Sequence, residues 1–126
     1  MSPREQISTD EAPRPGGAYS QAIRVGDLLF LAGQGPFDSE GQHVGGSVAD
    51  QTRQALRNLD AVARAAGGSL AQAVRLGVYL SSLEHFAEMN SAYGEFFEEP
   101  LPARTTIQSD FPAFDVEIDA VVWLGG

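Results

Sequence analysis

The chain has 126 residues and a formal net charge of −9, with eight arginines, seventeen acidic residues, no lysine and no cysteine. This length fits a single domain, residues 1–126, and the missing cysteine excludes disulfides, thiolate metal ligands and a cysteine nucleophile. The acidic balance argues against a nucleic-acid partner, while the short apolar runs and the polar N-terminus argue against a membrane partner and favour a cytoplasmic protein.

Two strands and a long helix are predicted in the first half of the chain, after an extended lead-in over residues 1–18. The strands lie within residues 18–33 and are joined at Gly26-Asp27, a pair typical of a hairpin turn. A glycine-rich loop follows. Apolar residues then recur at helical spacing over residues 47–68, where Ser47 can cap the helix and Gly67 can end it.

The second half is predicted to hold a strand at residues 73–82 and a helix at 82–99, with Ser81 and Glu84 forming a capping box. Strands at 104–108 and 116–124 close the chain. The order β-β-α-β-α-β-β predicts an α+β fold, a sheet backed by two helices.

One face of this sheet is expected to lack a cover. The strand around residues 28–32 is apolar on both sides, and Val121 and Trp123 lie opposite the helix-facing side of the last strand. Two helices usually cover one face only. We therefore predict a homo-oligomer in which other copies of the chain cover the second face.

Arg104 is the first candidate for a functional residue. It follows Pro102-Ala103 at the start of a short strand, far from any other cation, and it shares a face with Thr106. An isolated arginine is more often a surface residue. A guanidinium fixed in this way is nevertheless suited to bind a small carboxylate through two parallel hydrogen bonds.

Glu117 and Tyr19 are the second and third candidates. Glu117 leaves its strand on the face opposite Val116 and Ile118, where it is either solvated or, beneath a partner subunit, desolvated with a raised pKa. In the second case it can transfer a proton near neutral pH, with Asp119 raising its pKa further. Tyr19 follows two glycines and is either a packing residue or part of a cleft.

Metal and nucleotide sites are not predicted. His43 lies in a glycine-rich loop and His85 near a helix start, and neither has the spacing of metal ligands or of a catalytic triad. The glycine-rich stretches match no nucleotide-binding fingerprint. We expect no cofactor.

Six stretches together resemble the YjgF/RidA family of reactive-intermediate (enamine/imine) deaminases over nearly the whole chain. The last three, in this order and at these spacings, are the specific part. The stretches are GGAYSQA, GDLLFLAGQGP, QTRQALRNLDAVARAAGG, FAEMNSAYGEFF, PARTTI and VEIDAV.

The resemblance implies a chorismate-mutase-like fold and a homotrimer with its sites in clefts between subunits. It also implies a reaction, the hydrolysis of 2-imino acids and enamines such as 2-aminoacrylate to 2-keto acids and ammonia, without a metal. The chain departs from the family pattern at Ala18, where proline is frequent, and at Ala32, where serine is frequent.

The resemblance also assigns roles to residues. Arg104 would bind the substrate carboxylate, and Glu117 would hold the attacking water and carry its proton to the leaving nitrogen. The remaining matches would line the substrate pocket: Tyr19 from the neighbouring subunit, Gly33 and Thr106 through backbone groups, and Asn90 from a helix.

Two other functions stay open at this point. The chain could be a non-catalytic trimer that binds a small carboxylate metabolite through Arg104, since folds outlive activities. It could also deaminate one specific catabolic intermediate, such as an aminomuconate. The endoribonuclease activity attached to some relatives conflicts with the net charge of −9.

Overall fold

The computed structural model describes residues 3–125, in which one mixed β-sheet carries two α-helices on one face. In chain order the elements are β1 (Glu5–Ile7), β2 (Ala22–Val25), β3 (Leu28–Gln34), α1 (Val48–Ala65), β4 (Ala73–Leu80), α2 (Phe86–Gly94), β5 (Ala103–Gln108) and β6 (Val116–Trp123). The strands lie side by side in the order β1-β2-β3-β6-β4-β5, and only the β4–β5 pair is parallel. The predicted α+β class is confirmed.

Strand β1 lies inside the stretch that the sequence predicts to be an extended lead-in. It pairs antiparallel with β2, so the described sheet has six strands where five are predicted. Three residues are too few to show a period of two, which is why the pattern alone misses this strand. Ile7, its last residue, is buried. Residues 1 and 2 of the lead-in lie outside the described residues.

The second helix is shorter than predicted. It begins at Phe86 and ends at Gly94, and a single 3-10 turn over Leu83–His85 precedes it. Beyond the helix, the Phe97 ring turns inward and packs against the Tyr93 ring, with 4.7 Å between the centroids. Phe97 is buried although it lies outside the helix, so its apolar character extended the predicted helix beyond its true end at Gly94.

The predicted capping box at Ser81 is wrong by one residue. The side chain of Ser82 accepts the hydrogen bond from the Glu84 amide, at 3.2 Å. The Ser81 hydroxyl instead donates to Asp115 across the structure, at 2.6 Å. A capping rule based on sequence cannot distinguish Ser81 from Ser82, because either serine can precede the helix. The contact between Ser81 and Asp115 decides which of them is the cap.

Helix α1 supplies most of the helical side of the core. Its predicted limits hold, since Ser47 accepts from the Asp50 amide at 3.0 Å and Gly67 adopts a left-handed φ of 88°. Its predicted apolar stripe packs against alternate residues of β3, β4 and β6. None of the helices within residues 3–125 is long and apolar enough to cross a membrane.

The opposite face of the sheet, here called the outer face, carries large apolar side chains that are exposed to solvent in the single chain. The exposed fractions are 40% for Leu28, 45% for Phe30 and 48% for Trp123. Their strand neighbours Leu29 and Val122 are fully buried on the helical side. The predicted lack of a cover on this face is therefore confirmed for the single chain, and what covers it stays a prediction.

Candidate functional site

Arg104 is held between aromatic rings. It pairs in register with Leu76, a core residue of β4, so its side chain lies on the helix-covered face of the sheet. Its guanidinium carbon is 4.6 Å from the centroid of the Tyr93 ring and 5.4 Å from that of Phe86. Across residues 3–125, no carboxylate lies within ion-pair distance of this guanidinium. The rings therefore hold the cation while its donors stay available.

The arginine opens onto a cavity of about 350 Å³, here called the arginine pocket, which lies where α2 meets the start of β5. Its walls are formed by Asn90, Tyr93, Gly94, Leu101, Pro102 and Arg104. Asn90, the predicted helix asparagine, thus lies beside Arg104. Thr106 is two residues further along β5 on the same face and does not line this pocket.

Tyr93 has an unusual phenol. The residue is only 6% exposed, and within the described chain its hydroxyl has no hydrogen-bond partner. Burial raises the pKa of the Tyr93 phenol, and the charge of Arg104 offsets part of this rise. The ring thus serves as a packing surface for the guanidinium, which also lies close enough to the hydroxyl to lower the pKa of the phenol.

Glu117 lies on the outer face, on the side of the sheet opposite Arg104. It is half-buried in β6 between the fully buried Val116 and Ile118, and it pairs with Tyr79 of β4. Its carboxylate rests against Gly33, where an added Cβ would lie 2.5 Å from Oε2. Desolvation raises the pKa of Glu117, and the nearby charge of Asp119 raises it further.

A second cavity, of about 280 Å³, surrounds this carboxylate and is called the glutamate pocket. Its lining includes Arg14, Tyr19, Gly33, Phe37, Phe114 and Glu117. The Tyr19 ring is 54% exposed, and its hydroxyl accepts a hydrogen bond from the Gly16 amide at 3.1 Å. Tyr19, Gly33 and Glu117 of the same chain therefore surround one cavity.

Asp119 forms a polar cluster next to Glu117 on the outer face. Its carboxylate accepts from the Tyr79 hydroxyl at 2.8 Å and from the Gly77 amide at 3.1 Å. The hydrogen bond to Asp119 and burial raise the pKa of Tyr79. The carboxylate is thus fixed two residues from Glu117, which keeps a negative charge close to it.

A network that the sequence reading missed anchors the start of β6. Asp115 accepts from the Ser81 hydroxyl at 2.6 Å and from the Gln51 amide at 3.1 Å, and its own backbone amide donates to Gln51 at 2.8 Å. The hydrogen bond from Ser81 is the main reason why the pKa of Asp115 is lowered. The one available signal is Gln51, a polar residue at a buried position of α1. The network fixes the register of the strand that carries Glu117.

The two histidines contact different residues. His43 packs edge-on against the Phe37 ring, with 5.6 Å between the centroids, and His85 lies 3.8 Å from an Asp115 oxygen. In the part of the chain that the structure describes, residues 3–125, no three His, Asp or Glu side chains converge on one point.

The six predicted site residues thus separate into two groups in one chain. Tyr19, Gly33 and Glu117 surround the glutamate pocket, Asn90 and Arg104 line the arginine pocket, and Thr106 lies next to the second group. Because Arg104 and Glu117 leave opposite faces of the sheet, no small molecule can touch both within one protomer.

Comparison with known proteins gives consistent matches along the chain. A family model described as endoribonuclease L-PSP matches residues 9–124. A RutC family protein of Pyrococcus horikoshii is 45% identical over 95% of this chain and 98% of its own length. A 2-iminobutanoate/2-iminopropanoate deaminase of Dermatophagoides farinae is 37% identical over 97% and 98%. The crystal structure of RidA from an Antarctic Psychrobacter is 37% identical, covers 94% of this chain and 98% of its own, and has a TM-score of 0.88.

Proposed function

The chain belongs to the endoribonuclease L-PSP family, also known as the YjgF/RidA family, and on that premise we propose that it hydrolyses 2-imino acids and their enamine tautomers to 2-keto acids and ammonia. The observation that carries the proposal is the guanidinium of Arg104, held by two rings and free of any carboxylate within residues 3–125. A cation kept in this state has its donors available for an anionic ligand, and the carboxylate of a 2-imino acid matches the two parallel donors of the guanidinium.

In the first step, Arg104 binds the substrate carboxylate and orients the imine carbon. A protonated imine is already electrophilic, so most of the acceleration comes from holding the reacting atoms in place. The aromatic clamp lowers the entropy cost of binding because the guanidinium does not have to be ordered when the substrate arrives. Asn90 lies at the same pocket and can hydrogen-bond the substrate.

In the second step, Glu117 activates water. Its carboxylate accepts a proton from the water that attacks the imine carbon, forming a carbinolamine. The same group then returns the proton to the nitrogen and takes up the hydroxyl proton as the C–N bond breaks, so the keto acid and ammonia leave and the ammonia carries the last proton away as ammonium. A carboxyl group whose pKa is raised by desolvation is suited to both directions of this transfer near neutral pH.

The complete site requires two copies of the chain. Arg104 and Glu117 face opposite sides of one sheet, and a substrate that touches both must lie between the arginine pocket of one protomer and the glutamate pocket of another. The exposed apolar residues of the outer face supply a surface for this association. We propose the homotrimer that the family resemblance implies.

The proposal is tested by competition for a chemically generated imine. An amino-acid oxidase releases the 2-imino acid in the presence of semicarbazide, and the protein is expected to divert imine from semicarbazone to keto acid. Arg104→Ala and Glu117→Gln should each abolish this diversion. Arg57→Ala, an exposed arginine of α1 outside both pockets, and Glu98→Gln should keep it.

The same variants separate the alternatives. A non-catalytic binding protein would leave the semicarbazone yield unchanged while keto acids still bind in an Arg104-dependent manner. A deaminase of one catabolic intermediate would accept that compound and ignore simple imines. RNA cleavage that survives rigorous purification and is lost in Glu117→Gln would favour the endoribonuclease name, against which the net charge of −9 stands.

A further inference from the structure

Arg14 is, like Arg104, a cation without an acidic partner among residues 3–125, and it lines the glutamate pocket rather than the arginine pocket. It is the one basic residue among those lining this pocket in the described chain. No hydrogen bond or ion pair joins its guanidinium to any residue from 3 to 125. We propose that Arg14 selects 2-imino acids that carry a second carboxylate. This inference rests on the proposed function and specifies its substrate class.

The backbone that leads to Arg14 is fixed by a buried glutamine. Gln21 is 3% exposed, and its amide nitrogen donates to the carbonyl of Pro13 at 2.8 Å and to that of Thr9 at 3.1 Å. Its oxygen accepts from the Thr9 amide at 2.7 Å. These bonds fix the backbone of Pro13, the residue directly before Arg14. The backbone of Arg14 therefore has a defined position at the rim of the pocket.

The lining of the glutamate pocket offers Arg14 few charged groups to bind. Its lining also includes Gln21, Gln34 and the rings of Phe37 and Phe114, which are in edge-on contact at 5.4 Å between centroids. Its one acid, Glu117, has a pKa whose causes are burial and Asp119, with no effect from Arg14. Glu117 and Arg14 line the same cavity without an ion pair between them, so a substrate held at the proton-transfer group can extend toward the guanidinium.

A dicarboxylic imine fits this distribution of charge. In the composite site, the carboxylate next to the imine binds Arg104 of one protomer, and the distal carboxylate binds Arg14 of the protomer that contributes Glu117. Water adds across the C=N bond and ammonia leaves, so the product is a 2-keto dicarboxylate. A net charge of −9 repels a dianion on average, and a cation without an acidic partner offsets this repulsion locally.

The test compares imines with and without the second carboxylate in the competition assay. L-Aspartate oxidase supplies 2-iminosuccinate, L-glutamate oxidase supplies 2-iminoglutarate, and a general L-amino-acid oxidase supplies monocarboxylic imines. We expect Arg14→Gln to lower kcat/KM for the dicarboxylic imines by about fivefold or more while monocarboxylic imines are unaffected. Arg14→Glu should lower it further, and Arg24→Gln, an arginine outside the pocket, should change neither.

Three results would overturn the inference. They are equal effects of Arg14→Gln on both classes, no effect on either, and a wild-type protein that hydrolyses only monocarboxylic imines. In each of these cases the deaminase itself stands. Loss of the proposed function looks different, because the wild type would then process no imine. Binding of 2-oxoglutarate against 2-oxobutanoate, measured by calorimetry, tests the same preference without catalysis, and an Arg14-independent ratio would also contradict it.

Discussion

The guanidinium carbon of Arg104 lies 4.6 Å from the centroid of the buried Tyr93 ring. This contact joins the strand β5 to the helix α2, so the cation is positioned by the core and not by a partner carboxylate. An arginine paired with an acid would have to break that pair before it could bind an anion. The ring attracts the cation through its π face and uses none of the N–H donors.

Replacement of Tyr93 tests whether the ring or its hydroxyl matters. Tyr93→Phe keeps the ring and removes a buried hydroxyl that has no partner within the described residues, so unfolding free energy should stay within about 1 kcal/mol of wild type and activity should persist. Tyr93→Leu removes the ring face, and we expect KM for imines to rise about threefold to tenfold. Urea unfolding and the competition assay measure the two effects. Equal KM values for the Phe and Leu variants would contradict the clamp.

Glu117 occupies the space that a side chain at Gly33 would need. In Gly33→Ala the new Cβ would lie 2.5 Å from Oε2, so the carboxylate must move away. We expect at least a tenfold loss of kcat/KM, because catalytic geometry tolerates little displacement, together with a small loss of stability. Gly46→Ala, whose Cβ would meet nothing within 4 Å, is the matched control. Full activity of Gly33→Ala would show that this carboxylate is not the proton carrier.

The outer face offers a test of assembly that is independent of catalysis. Phe30 is 45% exposed at the centre of this face, and Phe30→Glu would place a charge there. We expect the variant to stay folded, to elute as a monomer in size-exclusion chromatography with light scattering, and to lose imine hydrolysis. Leu83→Glu, which alters an equally exposed leucine off this face, should change neither property. An active Phe30→Glu monomer would exclude a site between subunits.

Local sequence rules were sufficient where neighbours in the chain decide the structure. Ser47 and Gly67 set the ends of α1 through contacts within one turn, and the alternation of β6 placed Glu117 on the face opposite the core. Position along the chain could not show which side chains share a cavity. Tyr19 and Glu117 are nearly a hundred residues apart. The family resemblance assigned Tyr19 to the substrate pocket from a neighbouring subunit, whereas the structure shows that it shares a cavity with Glu117 of its own chain.

Contacts between distant segments account for what the sequence left undetermined. By sequence, Ser81 is as suitable a helix cap as Ser82. Its hydroxyl instead donates a hydrogen bond to Asp115, thirty-four residues away. Asn58 is a polar residue at a buried position of α1, and its amide donates to the carbonyl of Phe37 at 2.8 Å, which holds the loop beside the glutamate pocket. Polar residues inside an apolar helical stripe are the signal that would have found such anchors.

The ionised carboxylate of Glu117, which the proposed reaction needs, is expected to lower the free energy of unfolding at neutral pH. Its folded pKa is raised above the ordinary value of 4.5, so its contribution to folding is fully present below that value and is lost as pH rises through the folded pKa. Glu117→Gln should therefore be more stable than wild type, by a margin that grows as pH rises from 4.5 through the raised folded pKa of Glu117. Thermal unfolding across this range measures it, with the exposed Glu98→Gln as control. A margin that shrinks as pH rises would contradict the raised pKa.

Asp119 should set the pH at which the enzyme becomes active. Catalysis by Glu117 needs the ionised carboxylate to accept a proton from water, so log(kcat/KM) should rise with pH through the pKa of Glu117. The charge of Asp119 raises that pKa by disfavouring a second negative charge nearby. Asp119→Asn removes the charge and keeps an oxygen that can accept from Tyr79, so the rising limb should move to lower pH. Asp110→Asn, in an exposed loop, should leave the profile unchanged. A limb that stays fixed in Asp119→Asn, or that moves to higher pH, would show that Glu117 is not the group whose ionisation controls the rate.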